Sequence, residues 1–208
     1  MCGRYSITIF KTTIEKSFDA KFYVAQPSFE WSPTFNAAPS QVLPIIRTYN
    51  ATRIELASWG FWPDERKRST RARPMINARL ETAADKPMFV SSFRGRHCLV
   101  LADGYYEWRT VGKIKQPYRI TLKTGEPFAM AGIYAREPTE FDTAERNPVN
   151  FAILTTKANE AVSYIHDGCL SSFRSAARKP GFRPTRPACS CSHASAPNSS
   201  RATPSHRK

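Results

Sequence analysis

The chain has 208 residues, 41% hydrophobic and 12% aromatic, which suits one buried core and excludes a wholly disordered protein. Its formal charge of +14 turns it towards an anionic partner, nucleic acid first. No stretch reaches the ~20 apolar residues of a membrane helix, the opening MCGRYSITIF lacks a signal-peptide pattern, and five cysteines form no regular framework. The expectation is therefore a cytoplasmic protein with free thiols.

Along the chain, residues 13–18 follow a Thr and predict a short helix. Brief β-branched or aromatic runs bounded by Pro, Gly or Asn predict strands over 42–47, 53–62, 98–108, 118–122, 128–134 and 151–156. A helical turn or two is expected within 81–94. Residues 159–166 read as a helix behind an Asn cap, with Ala161, Val162 and Ile165 on one face. The pattern is α+β, a single predominantly antiparallel β domain with a few short helices. It contains no βαβ alternation, internal repeat, phosphate loop or dinucleotide fingerprint.

At Gly168 the composition changes. The 41 residues to Lys208 hold nine Ser, five Pro, eight Lys or Arg and no acid. Residues 1–167 thus carry 23 basic and 17 acidic residues, a net +6, and the tail supplies the other +8. Composition predicts a catalytic domain over 1–167 and a disordered basic tail over 168–208. Cys189 and Cys191 stand too close together for a usual metal hook, and His193 lacks further partners, so no metal is expected.

Cys2 is the first chemically informative residue. Removal of the initiator Met would leave an α-amine (pKa ~8) and a thiol (pKa ~8.5) on adjacent carbons. Such a 1,2-aminothiol condenses with an aldehyde and closes a thiazolidine ring. The bland alternative is a cysteine at a frayed start.

Six words occur in order: Met-Cys-Gly-Arg-Tyr (1–5), Asn-Ala-Ala-Pro (36–39), Trp-Gly-Phe-Trp-Pro (59–63), Asn-Ala-Arg-Leu-Glu-Thr (77–82), Asp-Gly-Tyr-Tyr-Glu-Trp (103–108) and Phe-Ala-Ile-Leu-Thr-Thr-Lys-Ala-Asn (151–159). Together they resemble the SOS-response-associated peptidase (SRAP) family over residues 1 to about 167. The resemblance implies an SRAP-like fold and covalent capture of abasic sites in single-stranded DNA, with lyase and self-processing peptidase chemistry. It implies no cofactor, no metal and no membrane, and a monomer associated with the nucleoid when bound to DNA.

By the same resemblance, Cys2 is the nucleophile, and Asn77 holds the amino terminus and the sugar in register. An amide suits that task because it donates and accepts without changing charge. Glu107 would move protons, since a carboxyl in aromatic surroundings is more readily protonated; the alternative is a charge on an open strand face. Alternation puts Tyr105 and Glu107 on one face and Tyr106 and Trp108 on the other. His166 matches the position that assists ring opening; otherwise it is a helix cap or a packed ring. His97 matches no catalytic position and is read as structural.

Arg4 and Arg79 are the first choices for phosphate contacts, or else ordinary surface cations. Trp59, Phe61 and Trp62 offer rings for base stacking, with core packing as the alternative and at least one ring expected to point inward. Arg66, Lys67, Arg68, Arg71 and Arg73 read as a solvated loop adding salt-dependent attraction. The alternatives to capture are a non-covalent single-strand-binding module, a thiol peptidase acting on proteins, and an inactive truncated product.

The chain departs from the family after Asp167. Members continue roughly as Arg-Met-Pro-Val-Ile-Leu, whereas here Gly-Cys-Leu-Ser-Ser-Phe follows. Loss of one nucleotide converts one spelling of the first word into the second. A Met codon followed by any Pro codon yields a Cys codon in the shifted frame, and Cys169 stands there. An out-of-frame tail is expected, with the family's last packed elements missing and His166 at the edge of the gap.

Overall fold

A computed structural model describes residues 3–23, 31–62, 73–135, 149–165, 168–170, 172–174 and 193–195. The chain opens with strand β1 (Tyr5–Ile7), helix α1 (Lys11–Phe18), β2 (Lys21–Phe22) and β3 (Thr34–Ala37). It continues through β4 (Val42–Arg47), β5 (Arg53–Trp59), β6 (Asn77–Arg79), and the short helices α2 (Leu80–Ala83) and α3 (Val90–Gly95). Then come β7 (His97–Ala102), β8 (Gly104–Val111), β9 (Ile114–Thr121), β10 (Phe128–Tyr134), β11 (Asn150–Lys157) and α4 (Glu160–Ser163). The remaining described strands are β12 (Gly168–Leu170), β13 (Ser172–Arg174) and β14 (His193–Ser195).

These strands make two sheets. The first runs β14-β9-β8-β1-β3 and is antiparallel throughout. The second runs β12-β11-β10-β7-β4-β5-β2, with β13 beside β10 and β6 beside β11. A further pairing of β11 with β5 closes β11, β10, β7, β4 and β5 into a ring, which removes the open edges that such strands would otherwise expose. Three pairings in this sheet are parallel: β2 with β5, β5 with β11 and β6 with β11.

Burial follows from strand periodicity. Phe151 and Ile153 of β11 enter the main core, together with Tyr5, Phe18, Ile45, Trp59 and Phe128. Ala152 and Leu154 point the opposite way, into a second cluster with Phe61, Ala83 and Phe89 under helices α2 and α3. Strand β10 is therefore buried along its whole length, as an uninterrupted apolar run on a strand covered on both faces should be. The part-buried Arg47–Glu55 ion pair (2.6 Å) ties β4 to β5.

Several expected boundaries move. Helix α1 starts at Lys11, with the Phe10 carbonyl accepting the Ile14 N–H rather than a Thr hydroxyl acting as cap. The run predicted over 98–108 divides at Asp103, whose carboxylate is occupied with β1. The predicted strand over 118–122 extends back to Ile114 as half of a long hairpin.

The segment that composition marks as a disordered tail contributes three described strands. Leu170 is fully buried in the main core, and β12 pairs with β11 over Thr155–Lys157. One well-placed leucine supplies packing that an average over a Ser/Pro-rich segment conceals. Among the described residues no helix is long and apolar enough to cross a membrane.

Candidate functional site

The site is assembled around the start of the chain. Strand β1 lies between β3 and β8, with Tyr5 opposite Tyr105 on one side and Ala37 on the other. The Tyr106 N–H donates to the Arg4 carbonyl at 3.0 Å. Carrying the β1–β8 register two residues beyond the Tyr5–Tyr105 pair sets Gly3 opposite Glu107. A Cβ placed on Gly3 would lie 3.9 Å from Ile76 Cδ1, so the chain start is also in van der Waals reach of the residue before Asn77.

Asn77 is held from behind. Its strand β6 runs parallel to β11 with Asn77 beside Ile153, and the Ile76 carbonyl accepts both the Ile153 N–H (3.0 Å) and the Trp59 indole N–H (2.9 Å). Trp59 in turn packs its ring 5.2 Å from that of Tyr5. Asn77 on β6 is buried at 7% exposure and Glu107 on β8 at 4%. The alternation expected on β8 holds: Tyr105 and Glu107 are buried, Tyr106 is partly exposed and Trp108 is exposed.

Cys2 and His166 lie outside the described residues. The chain is described up to Ile165 and again from Gly168. Ile165 is buried, and Tyr164 sets its ring edge-on to Tyr118 at 6.3 Å, the residue that pairs with Glu107 across the β8–β9 hairpin. Arg109 stands 5.7 Å over the same Tyr164 ring.

Sequence reasoning missed a buried polar knot that fastens β1. Asp103 accepts the Ser6 hydroxyl (2.6 Å), the Thr8 N–H (2.6 Å), the Thr8 hydroxyl (2.5 Å) and Arg119 Nη2 (2.9 Å). Arg119 Nε also donates to Ser6 Oγ at 3.1 Å. Gly104 completes the knot, because a Cβ there would stand 2.8 Å from Arg119 Nε and 2.9 Å from Ser6 Oγ. An Asp-Gly pair reads as a surface turn in sequence, and nothing local announces that its carboxylate turns inward.

The phosphate and stacking residues divide. Arg4 is partly exposed, with Nη1 donating to Asn36 Oδ1 at 3.1 Å, and Arg79 is exposed at the end of β6. Trp59 and Phe61 are corrected: they are 0% and 1% exposed, one in the main core and one against Phe89, and rings so enclosed offer no face to a base. Trp62 keeps part of its surface. Arg66, Lys67, Arg68 and Arg71 lie outside the described residues, and Arg73 is exposed.

Glu81 shows how α2 is anchored. Burial works to raise its pKa, but its own backbone N–H, the Thr156 hydroxyl (2.8 Å) and the Lys157 N–H (3.3 Å) outweigh that and hold the carboxyl below the usual range. The Cys98 thiol is free and buried, and desolvation pushes its pKa far up, so it is inert. His97 is buried edge-on to Phe93. Among the described residues no group of three or more His, Cys, Asp or Glu converges as a metal site would require.

Two β-sheets packed around a shared core, with few and short helices, make an SRAP-type domain. The chain belongs to the SOS response associated peptidase (SRAP) family, whose sequence model matches residues 1–180. It is 37% identical over 170 residues to the abasic site processing protein YoqW of Bacillus subtilis, covering 80% of this chain and 73% of that one. It is 33% identical over 134 residues to the abasic site processing protein YedK of Escherichia coli, covering 64% of this chain and 57% of the relative. A solved structure from Bacteroides thetaiotaomicron shares the fold with a TM-score of 0.72 at 23% identity, over 87% of this chain and 82% of that one.

Proposed function

We propose that this chain processes abasic sites in single-stranded DNA by covalent capture through Cys2. Relatives named for abasic site processing supply the substrate. One observation supports the chemistry: the β1–β8 register, continued to Gly3, sets Gly3 opposite buried Glu107, and Gly3 lies within reach of Ile76, the residue before Asn77. Covalent geometry keeps the Cα of Cys2 within ~3.8 Å of that of Gly3, whatever else holds it.

After hydrolysis of the Met1–Cys2 bond, the Cys2 amine attacks the aldehyde carbon of the ring-opened sugar, and loss of water leaves an imine. The thiolate adds to the imine carbon and a proton passes to nitrogen, which closes the five-membered thiazolidine. In the lyase branch the imine instead loses a proton from the adjacent sugar carbon, and the 3′ phosphate departs as the leaving group. Glu107, buried on β8, carries protons between amine, imine and sugar oxygen. Asn77 holds amine and sugar in register, and His166 assists ring opening. Arg4 and Arg79 bind flanking phosphates.

The test is trapping on an abasic oligonucleotide followed by denaturation. Cys2→Ala is expected to abolish the denaturation-resistant complex while salt-sensitive binding stays within a few fold, because phosphate contacts come from other residues. Equal cross-linking by Cys2→Ala would sink the capture mechanism and leave a non-covalent binding module.

A further inference from the structure

The hairpin of β8 and β9 does not end where the core ends. Every residue from Trp108 to Lys115 is exposed, so the two strands project as an arm beyond buried Glu107. Its pairs run Glu107 with Tyr118, Arg109 with Gln116 and Val111 with Ile114, all three on the face that carries Glu107. Gly112 takes a positive φ of 61°, making the tight turn at the tip. Val111 and Ile114, facing each other there, are 55% and 69% exposed and make the tip apolar. Arg109, Lys113 and Lys115 give the arm three positive charges, and no acid occurs between residues 108 and 117. At the arm's base Arg109 lies over the Tyr164 ring and Tyr118 meets it edge-on.

We infer that this arm grips the DNA strand leaving the lesion on one side, the strand crossing the tip so that Val111 and Ile114 of the Glu107 face meet bases while Lys113 in the turn and Lys115 on the opposite face, paired with Thr110, meet phosphates. The inference rests on the function proposed above, which puts the lesion at Glu107. Four residues of strand span ~13 Å from Glu107 to Val111. That reaches two to four nucleotides beyond the lesion, according to how far the strand is stretched from its stacked rise of ~3.4 Å. The charge is complementary to a polyanion, and the unpaired bases of a single strand offer the apolar tip a surface that duplex DNA conceals.

The experiment measures equilibrium binding of the full chain to single-stranded oligonucleotides carrying a tetrahydrofuran abasic analogue, lengthened stepwise on the 5′ or on the 3′ side. For the parent, affinity should climb as each side lengthens. The Lys113→Ala/Lys115→Ala variant should lose the climb on one side only. Its salt slope should fall by ~1.4 for two lost phosphate contacts, equivalent to ~25-fold in affinity at ~0.1 M salt. Lys113→Arg/Lys115→Arg should restore both, and Val111→Ser/Ile114→Ser should blunt the same side without moving the salt slope. Loss on both sides, or on neither, overturns the arm. Failure of the parent to trap a reactive abasic oligonucleotide, with the one-sided loss intact, would overturn the capture chemistry instead and leave the arm standing.

Discussion

Replacing Asp103 with Asn isolates the knot that fastens β1 to the rest of the domain. The side chain keeps its shape, but the charge goes and one acceptor oxygen becomes an NH2 group facing donors. Asp103 is 6% exposed and takes four hydrogen bonds from Ser6, Thr8 and Arg119. A hydrogen bond to a charged group contributes ~1.5–3 kcal/mol, and a buried donor left facing another donor costs ~1–3 kcal/mol more. The hydroxyls of Ser6 and Thr8 can rotate to new partners, whereas the Thr8 backbone N–H cannot. The Arg119 side chain is 32% exposed, so solvent screens its share to at most ~1 kcal/mol. The expected loss for Asp103→Asn is therefore ~3 kcal/mol, a Tm drop of ~6–12 °C in a domain of this size. Arg119→Ala, by the same reasoning, should cost no more than ~1 kcal/mol. Urea titration with a thermal melt at matched pH measures both. An Asn variant within ~0.5 kcal/mol of the parent, or an Arg119 variant costlier than the Asp103 one, would refute the assignment of the knot to the carboxylate.

Leu170→Ala should cost ~2–5 kcal/mol in the same titration if β12 packs as described; a change below ~0.5 kcal/mol would favour an out-of-frame tail that contributes nothing to the core. Glu107→Gln should slow abasic-DNA trapping by ~10²–10⁴-fold with binding retained, and Asn77→Ala should slow it by misplacing the reacting atoms; parental rates in both would move the site elsewhere. Glu81 has its folded pKa held below the usual carboxylate value of 4.5, so its stabilising contribution is complete above that pH and disappears as pH falls through the lowered value. Acid titration of Glu81→Gln should accordingly show a shallower stability loss below pH 4.5 than the parent; parallel curves would count against the Thr156 and Lys157 contacts.

Periodicity carried far in this chain where a strand has one buried face. On β8 it separated Tyr105 and Glu107 from Tyr106 and Trp108, and β4 and β10 begin and end at the predicted residues. It rightly expected at least one of the rings at 59, 61 and 62 to point inward, but the stacking reading failed at Trp59 and Phe61 because both faces of the closed ring are covered. The position of Asn77 depends on a parallel pairing of three-residue β6 with β11, a long-range register with no local signature. Asp103 was hidden for the opposite reason: its local signature, Asp before Gly, is a strong one for a different structure. Arg119, far along the chain from Ser6, becomes its neighbour only through the β8–β9 hairpin.

The pairing of β1 with β8 has a consequence in time. Ser6 and Asp103, hydrogen-bonded in the finished molecule, are 97 residues apart in the chain. At a synthesis rate of ~5–20 residues per second, the opening strand waits roughly 5–20 s for its partner to be made. Until then β1 can pair only with β3, and the side that β8 later covers stays open to enzymes that trim nascent chains. The proposed reactive amine would thus be uncovered early and enclosed late: translation order leaves a window for maturation before the fold shuts around it.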